Sequence, residues 1–519
     1  MRAVVLLVAL AVGVSAQTYR VSGVLVDARD GSLLPRAHVT LAGGRGGNFA
    51  VTTVADGRFS FDVPQGKYTL NAEHRNWHQV FGLAASSTGF GSAIITGPDQ
   101  DTAHLVFRWF RPGAIFGKVT DDQGAPVENA AVQVISETVA GGRKVTAAAG
   151  SVRTDDLGRY RIGPIAGGNY YLVVTGAPWY ARQLALPGVP TAVDSPLNVA
   201  YAPTYYPNAT DPQNAARLVL DAGGEVEVNF TLRPVAGVAV YPLCLGAAPC
   251  NGSMSLYSLG VGELEALVST RYVRDDQPIF GVAPGRYVVR VTGTGGSMRK
   301  VIDIGSGGAT VEIALQPAAT LTGVIRFKDP RNKPGSTLYV RLLNEATNTA
   351  QTVAVEPDAR FSFPNVAVAR LRPLLSGNDG YFISQISATG AAFKDGLLDV
   401  VEGARVRLDI EASDENGRVR GLVANADKPA PGAFVVLAPH TDSGDRTQYR
   451  AFQTESDGSY DFTGVPAGEY MLFATDRVDL EYALPAALRP YLASAKAMTV
   501  EPHRVYTENL VLIQPAPRN

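Results

Sequence analysis

The sequence predicts an all-β protein: a tandem array of about five immunoglobulin-like β-sandwich modules that follow a signal peptide. A hairpin pattern that recurs five times is the first reason, and a glycine-led strand ahead of each hairpin is the second. The five leading strands begin roughly 100 residues apart, which is the length of one sandwich rather than of a solenoid repeat. Turn residues agree with many short strands, because the 519-residue chain contains 54 Gly and 33 Pro.

The first strand of each module starts at a glycine and continues with mostly apolar, β-branched residues. In most modules a Pro-containing turn and a second β-branched strand follow, as in Ala125-Pro126 before residues 131–134. The five first strands begin at Gly23, Gly117, Gly237, Gly323 and Gly421.

The recurring hairpin comes next in each module. An acidic residue near glycine supplies a tight turn, and the residues after it alternate with the period of a strand. A Pro/Gly turn then reverses the chain before a second alternation. We expect the tyrosine that begins this alternation in four copies to pack in the core and to bond nearby backbone through its hydroxyl. The copies occupy residues 56–70, 157–174, 276–291, 358–375 and 457–474, and the tyrosines are Tyr68, Tyr170, Tyr287 and Tyr470.

A closing strand completes each module, and the spacing of the pattern predicts the boundaries. A signal peptide is expected at residues 1–16, and an insert rich in aromatic residues and proline is expected at 178–212 within the second module. The sandwich modules are expected at residues 17–112, 113–235, 236–317, 318–412 and 413–519.

This pattern resembles the carboxypeptidase regulatory-like domain, a transthyretin-like β-sandwich that is also grouped with carbohydrate-binding-like folds. The similarity lies in G-x-V-x-D, then G-x-P-x-x-x-A-x-V-x-L, then D-x-x-G-x-F-x-F, then P-x-G-x-Y. The second and fifth modules match most of it, the first matches well, and the third and fourth keep only a part. The segment YAPTYYPNATDP at 201–212 is similar to a segment of secreted bacterial multi-module proteins. The resemblance implies a fold and an accessory module without catalytic residues.

The motifs give no indication of an enzyme, a metal site or a cofactor. No stretch has the alternating helices and strands of the α/β domain that a zinc exopeptidase needs. His74 and His78 lack the His-Glu-x-x-His order of a helical zinc site. The Asp-Gly turns are explained by turn chemistry, and calcium binding by a module stays open.

The N-terminus and the composition indicate an exported protein. A basic start, an apolar run at residues 4–12 and the small residues at 14–16 predict cleavage after Ala16 and a periplasmic, secreted or cell-surface product. No later apolar run is long enough for a membrane helix. With a net charge of −2 and no basic run, the chain lacks the charge pattern of a nucleic-acid-binding protein. We expect a monomer.

Two features are candidates for sites. Cys244 and Cys250 close a short loop in the third module, and export favours their oxidation to a structural disulfide. Aromatic rings on the proline-stiffened insert could stack on sugar faces or grip another protein, whereas the alternative is that they pack on their own module and bridge to the next. These candidate binding residues are Trp179, Tyr180, Tyr201, Tyr205 and Tyr206.

Three functions remain open from the sequence. The first is a secreted, non-enzymatic multi-domain protein that binds carbohydrate or another cell-envelope or extracellular component, a polysaccharide or an envelope protein. The second is a structural spacer or surface scaffold with protein partners, in which short connections hold the modules in a semi-rigid rod. The third places the chain in a hydrolytic system, either as an accessory portion without a catalytic site or as a hydrolase whose site is assembled from distant residues.

Overall fold

One strand pattern recurs five times along the chain, and we call each recurrence a repeat. The fold is taken from a computed structural model that describes residues 17–43, 47–74, 78–80, 93–181, 195–245, 252–263, 265–273, 278–293, 296–331, 334–345, 349–377, 380–441 and 445–514. The chain forms two compact units. Unit 1 comprises Met1–Phe110, Leu422–Ala433 and Gln453–Tyr460, and unit 2 comprises Arg111–Gly421, Phe434–Phe452 and Asp461–Asn519.

The described residues of the first repeat, in unit 1, form eight strands. They are β1 (Thr18–Asp27), β2 (His38–Gly43), β3 (Asn48–Thr52), β4 (Arg58–Pro64), β5 (Gly66–Glu73), β6 (His78–Val80), β7 (Ile94–Thr96) and β8 (Leu105–Trp109).

The second repeat opens unit 2. Its strands are β9 (Gly113–Asp121), β10 (Ala131–Ala140), β11 (Arg143–Arg153), β12 (Arg159–Ile165), β13 (Gly168–Thr175), β14 (Val199–Tyr201), β15 (Thr204–Tyr205), β16 (Leu218–Leu220), β17 (Glu225–Glu227), β18 (Phe230–Leu232) and β19 (Pro234–Ala236).

The third and fourth repeats follow within unit 2. The third has β20 (Val238–Cys244), β21 (Gly252–Leu259), β22 (Glu265–Val273), β23 (Ile279–Val282), β24 (Gly285–Gly293), β25 (Gly296–Ile304) and β26 (Ala309–Ile313). The fourth has β27 (Ala319–Phe327), β28 (Tyr339–Asn344), β29 (Thr349–Ala354), β30 (Arg360–Val366), β31 (Arg370–Ser376), β32 (Phe382–Thr389), β33 (Ala392–Lys394), β34 (Leu397–Asp399) and β35 (Arg405–Ser413).

The described part of the fifth repeat contains one α-helix among its strands. Its elements are β36 (Asn416–Asn425), β37 (Lys428–Pro429), β38 (Phe434–Pro439), β39 (Arg450–Gln453), β40 (Ser459–Pro466), β41 (Gly468–Thr475), α1 (Pro485–Leu492), β42 (Lys496–Val500), β43 (Val505–Thr507) and β44 (Leu510–Ile513).

The sheet order shows why five sequence patterns give five similar repeats. In the second repeat, first strand β9 pairs antiparallel with hairpin strand β12 and parallel with closing strands β17 and β18, while β10 lies between β11 and β13 in the other sheet. The same order recurs around β1, β20 and β27. In the fifth repeat, β44 pairs with both β36 and β41, so one larger sheet forms. The all-β prediction and the closing strands are confirmed.

Two of the leading glycines, Gly23 and Gly117, are explained by the approach of the closing strand. A Cβ atom on Gly117 would lie 1.9 Å from the carbonyl oxygen of Val228, and one on Gly23 would lie 2.0 Å from that of Leu105. Both distances are far below van der Waals contact, so any side chain at these positions would displace the parallel closing strand.

Buried apolar clusters combine residues from both sheets of a repeat. In the second repeat, Ile115 and Val119 of β9 pack in one cluster with Val132 of β10 and Leu172 of β13. The fourth hairpin lacks the repeated tyrosine, yet β31 forms and Leu371 at that position is buried. The sequence patterns did not predict α1, which packs Leu488 and Tyr491 into a cluster of the fifth repeat.

The chain divides into two compact units, and this division does not test the five predicted modules. The module boundaries therefore stay a prediction. Residues 1–16 lie outside the described residues, and so does the proposed cleavage site. Among the described residues, the structure contains no helix with the length and apolarity to cross a bilayer.

Candidate functional site

The insert of the second repeat carries the aromatic residues that the sequence singled out. After residues 182–194, which lie outside the described residues, β14 pairs with β19, and β15 and β16 both pair with β13. Tyr201 at the end of β14 is buried in the core of the repeat, and burial raises its pKa to about 12. Tyr206 is partly buried against the same cluster. The described residues 195–212 of the insert are therefore largely part of the sandwich.

Tyr205 forms a joint between the second and third repeats. Its ring is 1% exposed and packs with Ile135, Val173 and Ala266 in a small apolar cluster. Its hydroxyl lies 3.2 Å from the Oγ atom of Ser258. The burial of Tyr201 and Tyr205 favours the alternative interpretation, in which the insert rings pack on their own repeat and bridge to the next.

Trp179 and Tyr180 are placed differently from the other insert aromatics. Trp179 is 68% exposed, and its ring meets that of Tyr180 edge to face with 5.6 Å between centroids. An exposed indole supported by a second ring offers a flat apolar surface at a low cost in conformational entropy. Of the five predicted binding residues, Trp179 is the most exposed.

A second joint connects the fourth and fifth repeats within unit 2. Arg372 of β31 is only 4% exposed. Its Nε atom donates to Glu345 at 2.6 Å, and its Nη1 atom donates to Asp445 at 3.0 Å and to the carbonyl oxygen of Asp395 at 3.2 Å. Arg446 of the fifth repeat also contacts Glu345, with 2.8 Å between Nε and Oε1. Paired charges in a nearly buried site hold two surfaces in one geometry because separating them leaves charges unpaired.

Burial acts on the charges of this joint, which we call the arginine joint. It lowers the pKa of the Arg446 guanidinium, while the carboxylate of Glu345 acts in the opposite direction.

A buried threonine recurs where sequence reading found nothing. The Oγ1 atom of Thr154 donates to the carbonyl oxygen of Val127 at 2.6 Å and accepts from the amide of Ala130 at 2.9 Å. Thr53 and Thr454 make the matching pair of bonds in the first and fifth repeats. All three lie four residues before the glycine of the acidic turn, a spacing that could have revealed them in the sequence. Each threonine ties the Pro-containing turn to the strand before the hairpin.

The repeated tyrosines behave as predicted. Each hydroxyl donates to the carbonyl oxygen four residues earlier, from Tyr68 to Pro64 at 3.0 Å, Tyr170 to Ala166 at 2.6 Å, Tyr287 to Ala283 at 2.8 Å and Tyr470 to Pro466 at 3.0 Å. All four rings are buried in cores. A packing role is confirmed for these residues.

The acidic turns use their carboxylates within the turn. Asp155 accepts from the amides of Leu157 and Arg159 at 3.0 and 2.7 Å, and Asp457 accepts from the amide of Ser459 at 2.9 Å. Turn chemistry therefore accounts for them. Within the described ranges, no group of three or more His, Cys, Asp or Glu side chains is arranged to hold a metal ion.

The predicted disulfide and one histidine pair fall partly outside the described residues. Cys244 ends β20, whereas Cys250 is not described, so their pairing stays a prediction. His74 packs edge to face on Trp109, with 5.3 Å between ring centroids, and the side chain of His78 is not described.

Comparison with known proteins places part of the chain in a family. The model of the carboxypeptidase regulatory-like domain matches residues 20–96 and 114–233, which fall in the first and second repeats. No curated protein matches the sequence significantly.

Solved structures of bacterial proteins show distant similarity. The TIE protein of Bacillus anthracis is 10% identical, with 73% of this chain and 68% of that chain covered and a TM-score of 0.17. The minor pilin GBS52 of Streptococcus agalactiae is 15% identical, with 42% and 96% covered and a TM-score of 0.22. Two B repeat units of the collagen-binding protein of Staphylococcus aureus are 12% identical, with 76% and 99% covered and a TM-score of 0.14.

Similarities with TM-scores this low carry no argument about function. The family match, in contrast, falls on the two repeats whose strands, glycines, threonines and tyrosines have the geometry described above. Residues 20–96 and 114–233 of this chain are therefore similar to the carboxypeptidase regulatory-like domain.

Proposed function

We propose that the chain is an exported, non-enzymatic scaffold of β-sandwich repeats that presents binding surfaces to cell-envelope or extracellular partners. The observation that carries the proposal is the joint at Tyr205, where a fully buried ring and its hydroxyl connect the second repeat to the third. Joints of this kind fix one repeat against the next, which a scaffold needs. Export is supported by the signal-peptide pattern at residues 1–16.

Further contacts at the same joint support a fixed geometry. The hydroxyl of Thr175 donates to the carbonyl oxygen of Leu267 at 2.9 Å, and that of Thr146 donates to Gly262 at 3.2 Å. Both bonds cross from the second repeat to the third. Apolar burial together with several hydrogen bonds gives the joint both stability and register.

Hydrogen exchange of the full chain, measured by mass spectrometry, tests the scaffold. Tyr205→Ala should increase exchange in β13 of the second repeat and also in β21 and β22 of the third, because it removes a ring shared by both. Trp179→Ala is the control, since an exposed ring outside the joint should leave these strands unchanged. Faster exchange confined to the second repeat would show that the repeats are not coupled there.

A second candidate function is carbohydrate binding at Trp179 and Tyr180, favoured by the exposure of the indole. A panel of plant, bacterial and matrix polysaccharides should retain the protein and fail to retain Trp179→Ala. The matched control is Tyr272→Ala, which removes another strongly exposed ring, 65% exposed, in the third repeat. Equal retention of both variants would argue against this site.

The absence of catalysis is tested on its own. The protein should release no product from glycoside, ester and peptide substrates above the rate of a heat-denatured sample. Turnover that co-purifies with the folded chain would instead support a hydrolase whose site is assembled from distant residues.

A further inference from the structure

A large cleft lies within unit 2 where the fourth repeat meets the fifth. It has a volume of about 1210 Å³. Strands β31 and β32 contribute its lining from the fourth repeat, and β38 to β41 contribute from the fifth. Pockets for small molecules enclose about 300–1,000 Å³. The cleft therefore has room for a ligand of several linked units.

The walls of the cleft are held in place by bonds between the repeats. The arginine joint forms part of the lining through Arg372 and Asp445. Asn416 donates from Nδ2 to the carbonyl oxygen of Gly380 at 3.0 Å, and Lys328 pairs with Glu415 at 2.6 Å. A site that is already formed loses little free energy to ordering when a ligand binds.

The charges in the lining nearly cancel. Five charged residues line the cleft, and two of them, Arg372 and Asp445, pair with each other, while Glu415 pairs with Lys328. Arg450 and Glu469 remain, one of each sign. The guanidinium of Arg450 donates to the carbonyl oxygens of Thr463 and Gly464. A balanced lining gives no electrostatic attraction for a strongly charged ligand.

The uncharged side chains of the lining suit a ligand with hydroxyl groups and apolar ring faces. Gln385 and Gln448 bring side-chain amides that both donate and accept hydrogen bonds. Phe382, which is half-buried, adds an aromatic ring to the lining. Side-chain amides together with an aromatic ring match the alternating hydroxyl groups and C–H faces of sugar units.

An extended peptide is the other occupant that such a cleft could take. β32 is an edge strand, and edge strands accept a further strand through free backbone groups. However, the register of β32 shifts between Ile383 and Gln385, and the intervening Ser384 turns its hydroxyl to Glu411, with 2.8 Å to Oε1. A bulge of this kind interrupts the regular ladder that a peptide strand would continue. Recognition through side chains is favoured.

We propose that this cleft binds a neutral oligosaccharide, with Phe382, Gln385 and Gln448 as the contacting side chains. The proposal rests on the ligand-presenting role proposed above, and it requires neither Trp179 nor Tyr180. The site is separate from the insert, which lies in the second repeat.

Isothermal titration calorimetry of the full chain tests the proposal with cellohexaose, maltohexaose and chitohexaose as probes. At least one neutral hexasaccharide should bind with saturation, and Gln448→Ala should weaken it tenfold or more by removing two hydrogen bonds to the sugar. Tyr272→Ala removes an exposed ring of the third repeat outside both proposed sites, so it is the matched control and should bind as the parent does. Trp179→Ala is measured beside it to distinguish the cleft from the insert. Thr441→Trp provides a second variant, because it adds a ring to an exposed lining position and should block the cleft without altering a core.

The outcomes separate the possibilities. Binding that is lost in Trp179→Ala and kept in Gln448→Ala and Thr441→Trp would overturn the cleft and support the insert site. Binding of hexagalacturonate alone, of an alternating Thr/Val peptide alone, or of none of the neutral probes would also overturn it. The scaffold proposal is tested separately, by hydrogen exchange of Tyr205→Ala. Either proposal can therefore fail while the other holds.

Discussion

At the scale of single residues, the chain uses its polar atoms mainly to fix backbone. The tyrosine of the hairpin is the clearest case. Its ring fills the core, and its hydroxyl donates to a carbonyl group at the Pro/Gly turn. Gly285 lies two residues before Tyr287, and a Cβ atom there would meet the tyrosine ring at 3.4 Å. A Cβ atom at that distance would make an ordinary van der Waals contact, so the ring packs directly against the turn.

Removing one of these hydroxyls should destabilise its repeat. Tyr287→Phe leaves the carbonyl group of Ala283 without its buried donor, and we expect a loss of about 1 kcal/mol in the free energy of opening of β24. Hydrogen exchange by mass spectrometry on residues 285–293 measures it. Tyr272→Phe removes a hydroxyl from a residue that is 65% exposed and should change exchange little. Equal effects of the two substitutions would show that the hydroxyl of Tyr287 stabilises the repeat no more than an exposed hydroxyl does.

The same tyrosine predicts a loss of stability in alkali. Burial raises the pKa of Tyr287 from 10.0 to about 12, so the folded chain holds the phenolic proton at pH values where the unfolded chain has released it. The contribution is complete below pH 10 and is lost as the pH rises from about 10 to 12. The melting temperature of the parent should therefore fall more steeply over this range than that of Tyr287→Phe. Parallel slopes would contradict the burial of the phenol.

At the scale of elements, the acidic turn, the Pro-containing turn and the first strand lock together. Gly158 has a φ of +73°, and a Cβ atom there would lie 2.4 Å from the carbonyl oxygen of Val119. Its own carbonyl group accepts from the amide of Val119 at 2.8 Å. Glycine is required there both for the left-handed conformation and for the close approach to the first strand.

The hydroxyl of the buried Thr154 beside this turn should contribute more to the free energy of unfolding than an exposed hydroxyl does. Thr154→Val keeps the shape of the side chain and leaves a buried amide and a buried carbonyl group unpaired, with an expected cost of about 2 kcal/mol. Hydrogen exchange on residues 127–134 reports the opening of the turn. Thr154→Ser retains the hydroxyl and should stay closer to the parent. A larger effect of serine than of valine would mean that the methyl group, and not the hydrogen bonds, matters.

Elements built from local patterns were predictable, and elements that depend on distant contacts were not. The hairpins were predicted from turn residues and from the alternation of apolar and polar residues, and both lie within about 15 consecutive residues of the sequence. Helix α1 depends on burial of Leu488 and Tyr491 against strands far from it in sequence. Tyr205 and Trp179 belong to one aromatic insert, yet only Tyr205 meets Ser258 of the third repeat. Sequence reading found both rings and could not distinguish the buried joint from the exposed surface.

At the scale of the whole molecule, the described repeats of unit 2 are connected by more than their linkers. The joint at Tyr205 connects the second and third repeats, and the arginine joint connects the fourth and fifth. The second repeat also reaches the fifth, where the amide of Ala483 donates to the carbonyl oxygen of Gly142 at 2.9 Å. The sequence had suggested a rod in which only short connections hold the repeats. A contact between the second and fifth repeats is not expected in such a rod. A scaffold within unit 2 therefore has coupled repeats.

Differential scanning calorimetry of the full chain tests this coupling most directly. We predict that the repeats of unit 2 unfold in one transition, and that Arg372→Met splits it, because the substitution removes the hydrogen bonds to Glu345, Asp445 and Asp395. Trp179→Ala should leave the profile unchanged. A parent chain that melts in several separate transitions, none of them altered by Arg372→Met or by Tyr205→Ala, would contradict the scaffold of coupled repeats.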